Sequence, residues 1–145
     1  MKKTAVLLLM LLFLGLVVFA YAQQEMKKMD TDPTKALAQS VENGKKLFND
    51  ATLGTSGQTC NSCHPEGGTK AGKMGEMTIS AFDNLAAKYP RYVAAAQRVM
   101  TLDQIVNWCI VKALQGKALA WDDQKLTDLT AYCVSVKPVE KKPEK

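Results

Sequence analysis

The apolar residues of the chain fall into stretches of helical spacing separated by polar or glycine-rich segments, and no run alternates as a strand would. Asp32-Pro33 pairs an N-cap with a proline at the first helical position, and Leu37, Val41, Gly44, Leu47 and Phe48 then line one helical face to about Asn49. Ile79, Phe82, Leu85 and Ala86 predict a short helix that Pro90 ends. Thr101-Leu102-Asp103-Gln104 is a capping box opening a helix to about Leu114, with Gly116 as its stop. A last helix is expected from about Asp123 to Val136, closed by Pro138. Between the first two lies a long loop rich in glycine from Gly54 to Gly75. The pattern predicts an all-α domain built around a glycine-rich middle.

The ends read differently. Lys2 and Lys3 form a short positive start, residues 5–22 carry no charge, and Ala20-Tyr21-Ala22 places small residues where a signal peptidase reads them. The expected organisation is a signal peptide over 1–22, a flexible segment over 23–31, the domain over 32–137 and a disordered charged tail over 138–145. The uncharged stretch also just reaches transmembrane length, so an uncleaved anchor is the alternative, and only then would the protein contact a membrane. Both readings place the globular part outside the cytoplasm, in a periplasm where thiols are oxidised. Removing Lys2 and Lys3 lowers the formal charge from +5 to +3. That excess is too mild for nucleic acid, and no interleaving of basic and aromatic residues supports such a partner.

The loop carries few large apolar side chains, so something other than side chains should fill the centre. At its middle stands Cys60-Asn61-Ser62-Cys63-His64. Two cysteines separated by two residues match the vinyl spacing of a porphyrin, and the histidine that follows is aimed at the iron. One haem c bound through Cys60 and Cys63, with His64 as proximal ligand, is therefore expected. Zinc would need Cys60, Cys63 and two of His64, Cys109 and Cys133, but the last two cysteines sit singly on helices without paired spacing. A redox dithiol would open a helix in a βαβ unit, which the pattern lacks. Motifs for hydrolases, phosphate loops and paired carboxylates are missing too.

With CNSCH lying between Gly44 and Phe48 on the first helix and Leu129 and Tyr132 on the last, the chain resembles c-type cytochromes of the mitochondrial-like fold. The resemblance covers roughly residues 34–136 and implies a helical domain wrapped around the haem, with Gly44 letting the two helices approach closely. Tyr89-Pro90-Arg91-Tyr92, Asn107-Trp108-Cys109 and Gly116-Lys117-Ala118-Leu119 further resemble the haem domains of thiosulfate dehydrogenases and of the A subunit of the thiosulfate-oxidising multienzyme system. In those the cysteine matching Cys109 is the distal iron ligand, and an arginine stands where this chain has Ile105. The absent arginine removes the natural anchor for an anionic sulfur substrate.

His64 is the only histidine, so a second histidine ligand from the same chain is excluded. The distal donor stays open between Cys109, as the resemblance implies, and Met100, just before a helix. Met26 and Met29 lie in the loose tail, while Met74 and Met77 follow the haem motif too closely to reach the other face easily. If Met100 ligates, Cys109 and Cys133 face inward on consecutive helices and invite a disulfide. If Cys109 ligates, Cys133 is left as a buried thiol. Two functions follow. The first is a monohaem carrier passing single electrons between redox proteins (other cytochromes or a respiratory oxidoreductase), with Lys70, Lys73 and Lys88 steering acidic partners. The alternative is a haem subunit or enzyme of thiosulfate or sulfur-anion oxidation, with Cys109 in its active site.

Overall fold

The computed structural model describes residues 32–137, so the expected signal peptide, the flexible segment and the charged tail lie outside the described residues. The chain divides into two compact units, Met1–Ala36 and Leu37–Lys145. In the first, Asp32 opens the leading helix as its side chain accepts from Thr34 N at 3.0 Å, and Ala36 N donates to its carbonyl at 3.0 Å. The site lies in the second unit.

Five α-helices form among the described residues: α1 (Pro33–Phe48), α2 (Cys60–Cys63), α3 (Leu85–Lys88), α4 (Leu102–Lys112) and α5 (Gln124–Ser135). The expected caps form. Thr101 N donates to Gln104 Oε1 at 3.2 Å to open α4, and Asp123 Oδ1 accepts from Lys125 N at 2.9 Å to open α5. The stop of α4 differs from expectation. The helix ends at Lys112, the left-handed residue is Gln115 (φ 56°), and Gly116 N reaches back to Ile110 O at 2.9 Å.

The domain is mostly helical but not purely so, which corrects the all-α expectation. Two short antiparallel hairpins stand between α2 and α4. In the first, β1 (Gly72–Met74) pairs with β2 (Met77–Ile79) across a Gly75-Glu76 turn. The second pairs β3 (Arg91–Val93) with β4 (Arg98–Met100), joined by a 3₁₀ turn over Ala94–Ala96. The helix expected around Ile79 to Ala86 is consequently only one turn, Leu85–Lys88, and Ile79 belongs to β2. Strands of three residues are too short to show alternation, and the alanine run 94–96 carries no strand preference of its own.

The core gathers Phe48, Phe82, Leu102, Ile110, Leu114, Leu129, Tyr132 and Cys133. It is organised by the crossing of α1 and α5 at Gly44, where an added Cβ would lie against the Asp128 carbonyl and 2.7 Å from Tyr132 Cβ. Only glycine lets the two backbones approach this closely. The crossing is latched by Ser40 Oγ donating to the buried Asp128 Oδ1 at 2.5 Å, where Gln124 Nε2 also donates at 2.7 Å.

Candidate functional site

The cysteine pair sits on one helical turn. Thr59 N donates to Ser62 Oγ at 3.0 Å to open it, and His64 N donates to Cys60 O at 3.0 Å to close it. The next residues fold back over the turn: Gly67 N donates to Asn61 Oδ1 at 2.8 Å, and Gly68 N to His64 O at 3.0 Å. Asn61 therefore has a structural use as one of the two spacers. Tyr132, from α5, donates its hydroxyl to Gly67 O at 3.0 Å and ties this fold-back to the core.

His64 is set among aromatics, its ring centroid 4.6 Å from Phe82 and 6.3 Å from Phe48. Phe82 is placed by its backbone, whose N donates to Gly68 O at 2.8 Å. Gly68 is left-handed (φ 91°), and a Cβ there would enter the Phe82 ring, so glycine is needed for both reasons. Burial lowers the His64 pKa and keeps the imidazole neutral, and its Nδ1 is buried without a hydrogen-bond partner. A neutral imidazole whose nitrogen the protein leaves unpaired, next to two thiols on one turn, fits a covalently tethered haem. Among the described residues no three His, Cys, Asp or Glu side chains gather to hold a metal ion, so the zinc reading finds no ligand set.

The distal candidates are placed differently. The loop before the cysteine pair is pinned to the end of α4, with Thr55 N and Ser56 N both donating to Leu114 O at 3.0 and 3.1 Å. Cys109 is half-buried on that helix, within electrostatic reach of the tethering thiols. Burial first, and then the charge of Cys63, push the Cys109 thiol up to about 11. Burial, Cys109 and Cys63 likewise push Cys60 up to about 12. Cys133 joins the group from α5, pushed up to about 12 by burial, then by Cys60 and Cys109. No disulfide joins Cys109 to Cys133 in this structure. Met100 ends β4 fully buried but is not a member of the cluster that holds Phe48, Phe82 and Cys133.

Residues 43–137 match the SoxA/TsdA cytochrome c domain. The chain belongs to that family. As a member it carries haem c, held covalently through Cys60 and Cys63. It is 31% identical over 106 residues to thiosulfate dehydrogenase of Allochromatium vinosum, covering 69% of this chain and 38% of that protein. It is 26% identical over 93 residues to the L-cysteine S-thiosulfotransferase subunit SoxA of Pseudaminobacter salicylatoxidans, covering 64% of this chain and 28% of that one. The chain thus spans well under half the length of either relative.

Two features of this SoxA/TsdA domain bear on what it does. Of the lysines expected to steer partners, Lys70 is paired with Glu66 at 2.6 Å and Lys88 with Asp83 at 2.8 Å. That leaves Lys73 without an acidic partner among the described residues. The contacts of Phe82 with His64 and of Tyr132 with Gly67 escape sequence reasoning. Their signals are present, an aromatic beyond the motif and a glycine pair just after it, but nothing in one dimension joins them.

Proposed function

We propose that this protein is an exported, periplasmic monohaem cytochrome that accepts single electrons in the oxidation of thiosulfate or a related sulfur anion. In this reading His64 is the proximal iron ligand and Cys109 the distal one. The observation that carries it is the position of Cys109, half-buried on α4 and within electrostatic reach of Cys63 and Cys60. The names of the two relatives support the sulfur chemistry.

The haem supplies a one-electron ferric–ferrous couple when bound. Cys60 and Cys63 prevent its loss, and the neutral His64 offers a nitrogen lone pair. As distal ligand Cys109 would bind as the thiolate, since coordination would outweigh the burial that otherwise keeps its thiol protonated. An anionic sulfur ligand stabilises the ferric state and lowers the potential, which suits taking electrons from a reduced sulfur compound only with a partner cytochrome to remove them. Ile105, one turn before Cys109, leaves that flank of α4 without a cation for an anionic substrate. The reading is thus of an electron-accepting domain rather than a self-sufficient enzyme.

The fully buried sulfur of Met100 supports a second reading, a methionine-ligated carrier of raised potential. The oxidised protein's near-infrared spectrum separates the two. A methionine–iron charge-transfer band would overturn Cys109 ligation; its absence, with a spectrum altered in Cys109→Met, is expected. Haem reduction on adding thiosulfate, with a partner cytochrome present, tests the sulfur chemistry. Equal reduction in wild type and Cys109→Met would remove Cys109 from it.

A further inference from the structure

We propose that Asn107 is a positioning residue that fixes the rotation of α4, and with it the direction in which Cys109 presents its sulfur. This rests on the reading of Cys109 as distal ligand.

Asn107 is one of two buried polar or charged residues among those described, the other being Asp128 at the helix crossing. Both polar atoms of its side chain bond the backbone of one residue: Nδ2 donates to Leu119 O at 2.8 Å, and Oδ1 accepts from Leu119 N at 2.8 Å. Those two bonds use the complementary faces of a carboxamide, and no apolar residue of similar size reproduces them. The chain reaches Leu119 by turning back after α4 through Gln115 and Gly116, where Gly116 N donates to Ile110 O. Leu119 itself packs against the core cluster. Asn107 therefore ties α4 sideways to a segment that is itself anchored.

The consequence for Cys109 follows from helix geometry. At 100° per residue, Asn107 and Cys109 point about 200° apart, with buried Ile110 between them on the core side. The clamp holds one edge of the buried face and the cysteine occupies the other. Rolling α4 by about 20° would sweep the Cys109 sulfur through roughly 1.5 Å, since side-chain atoms lie some 4–5 Å from the helix axis. A bond to iron does not tolerate that displacement, whereas the apolar contacts of Ile110 would adjust to it. Within the helix, the Asn107 pair is the directional side-chain restraint on the roll, whereas the other hydrogen bonds to neighbouring segments hold its C-terminal end.

The test uses the haem-loaded, full-length ferric protein, with imidazole as a competing ligand followed by visible absorption and electron paramagnetic resonance. The variants are Asn107→Ala, Asn107→Ser, Ser40→Ala and Cys109→Ala. Ser40→Ala removes a part-buried hydrogen bond at the α1–α5 crossing and serves as the stability control. The expected result is that imidazole displaces the distal ligand of Asn107→Ala at an about tenfold lower concentration than in wild type. Ser40→Ala should keep the wild-type value despite a lower melting temperature. Asn107→Ser keeps a polar side chain but is too short to reproduce the pair of bonds to Leu119, and it carries the comparison should the alanine variant not fold; a shift in the same direction is expected. Equal displacement in the Asn107 variants and wild type, with the spectrum changed in Cys109→Ala, overturns the positioning role and leaves Cys109 ligation standing. An unchanged spectrum in Cys109→Ala overturns both.

Discussion

Substituting Gly44 by alanine tests the helix crossing on which the site is built. The added Cβ would lie 2.6 Å from the Asp128 carbonyl carbon and 2.7 Å from Tyr132 Cβ, where relaxed carbon contacts lie at about 3.5–4.0 Å. The neighbours are backbone and a β-carbon rather than a flexible side-chain tip, so α1 and α5 must part by roughly 1 Å. Overpacking of this kind costs about 1–3 kcal/mol. The separation also strains the Ser40–Asp128 bond, with a net contribution of about 1 kcal/mol. Alanine returns about 1 kcal/mol through its helix propensity. The expected net loss is about 1–3 kcal/mol, a fall in melting temperature of roughly 5–20 °C for a domain of this size. Circular dichroism of the haem-loaded protein on heating measures it, with the exposed Lys46→Ala on the same helix as reference. A Gly44→Ala protein as stable as the reference would mean that helix propensity outweighs the contact and that the crossing is looser than described.

Tyr132→Phe deletes the hydroxyl that holds Gly67 and should cost about 1 kcal/mol, seen as a melting temperature lower by about 4–8 °C; an unchanged value would show that this bond does not secure the fold-back over the haem motif. Cys133, with its thiol pushed up to about 12, stays protonated and buried at pH 8, so iodoacetamide should leave it unlabelled in the folded protein. After denaturation under non-reducing conditions, mass spectrometry should show labels on Cys109 and Cys133; an absence of both labels would reveal a bridge between them.

Much of the fold is legible in particular residues. Asp32-Pro33, Thr101 with Gln104, and Asp123 mark helix starts because caps are local: a side chain satisfies backbone groups two or three residues away. The hairpins are hidden for the opposite reason. Three-residue strands depend on their partners, and the alanines between β3 and β4 suit a helix as well as a turn. Gly75-Glu76 between two methionines was the one available hairpin signal, a two-residue turn with glycine at a left-handed position.

For the site, the division lies between bonds along the chain and contacts across it. The sequence alone determines the tether, since Cys60, Cys63 and His64 occupy a single helical turn and their spacing is covalent geometry. A single histidine likewise settles by count that no second imidazole of this chain reaches the iron. Only the tertiary structure decides that Cys109 comes within electrostatic reach of Cys63, and that Phe82 and Phe48 enclose His64. These depend on residues 16 to 46 positions apart and on how the elements pack, and burial and charge act through space rather than along the chain.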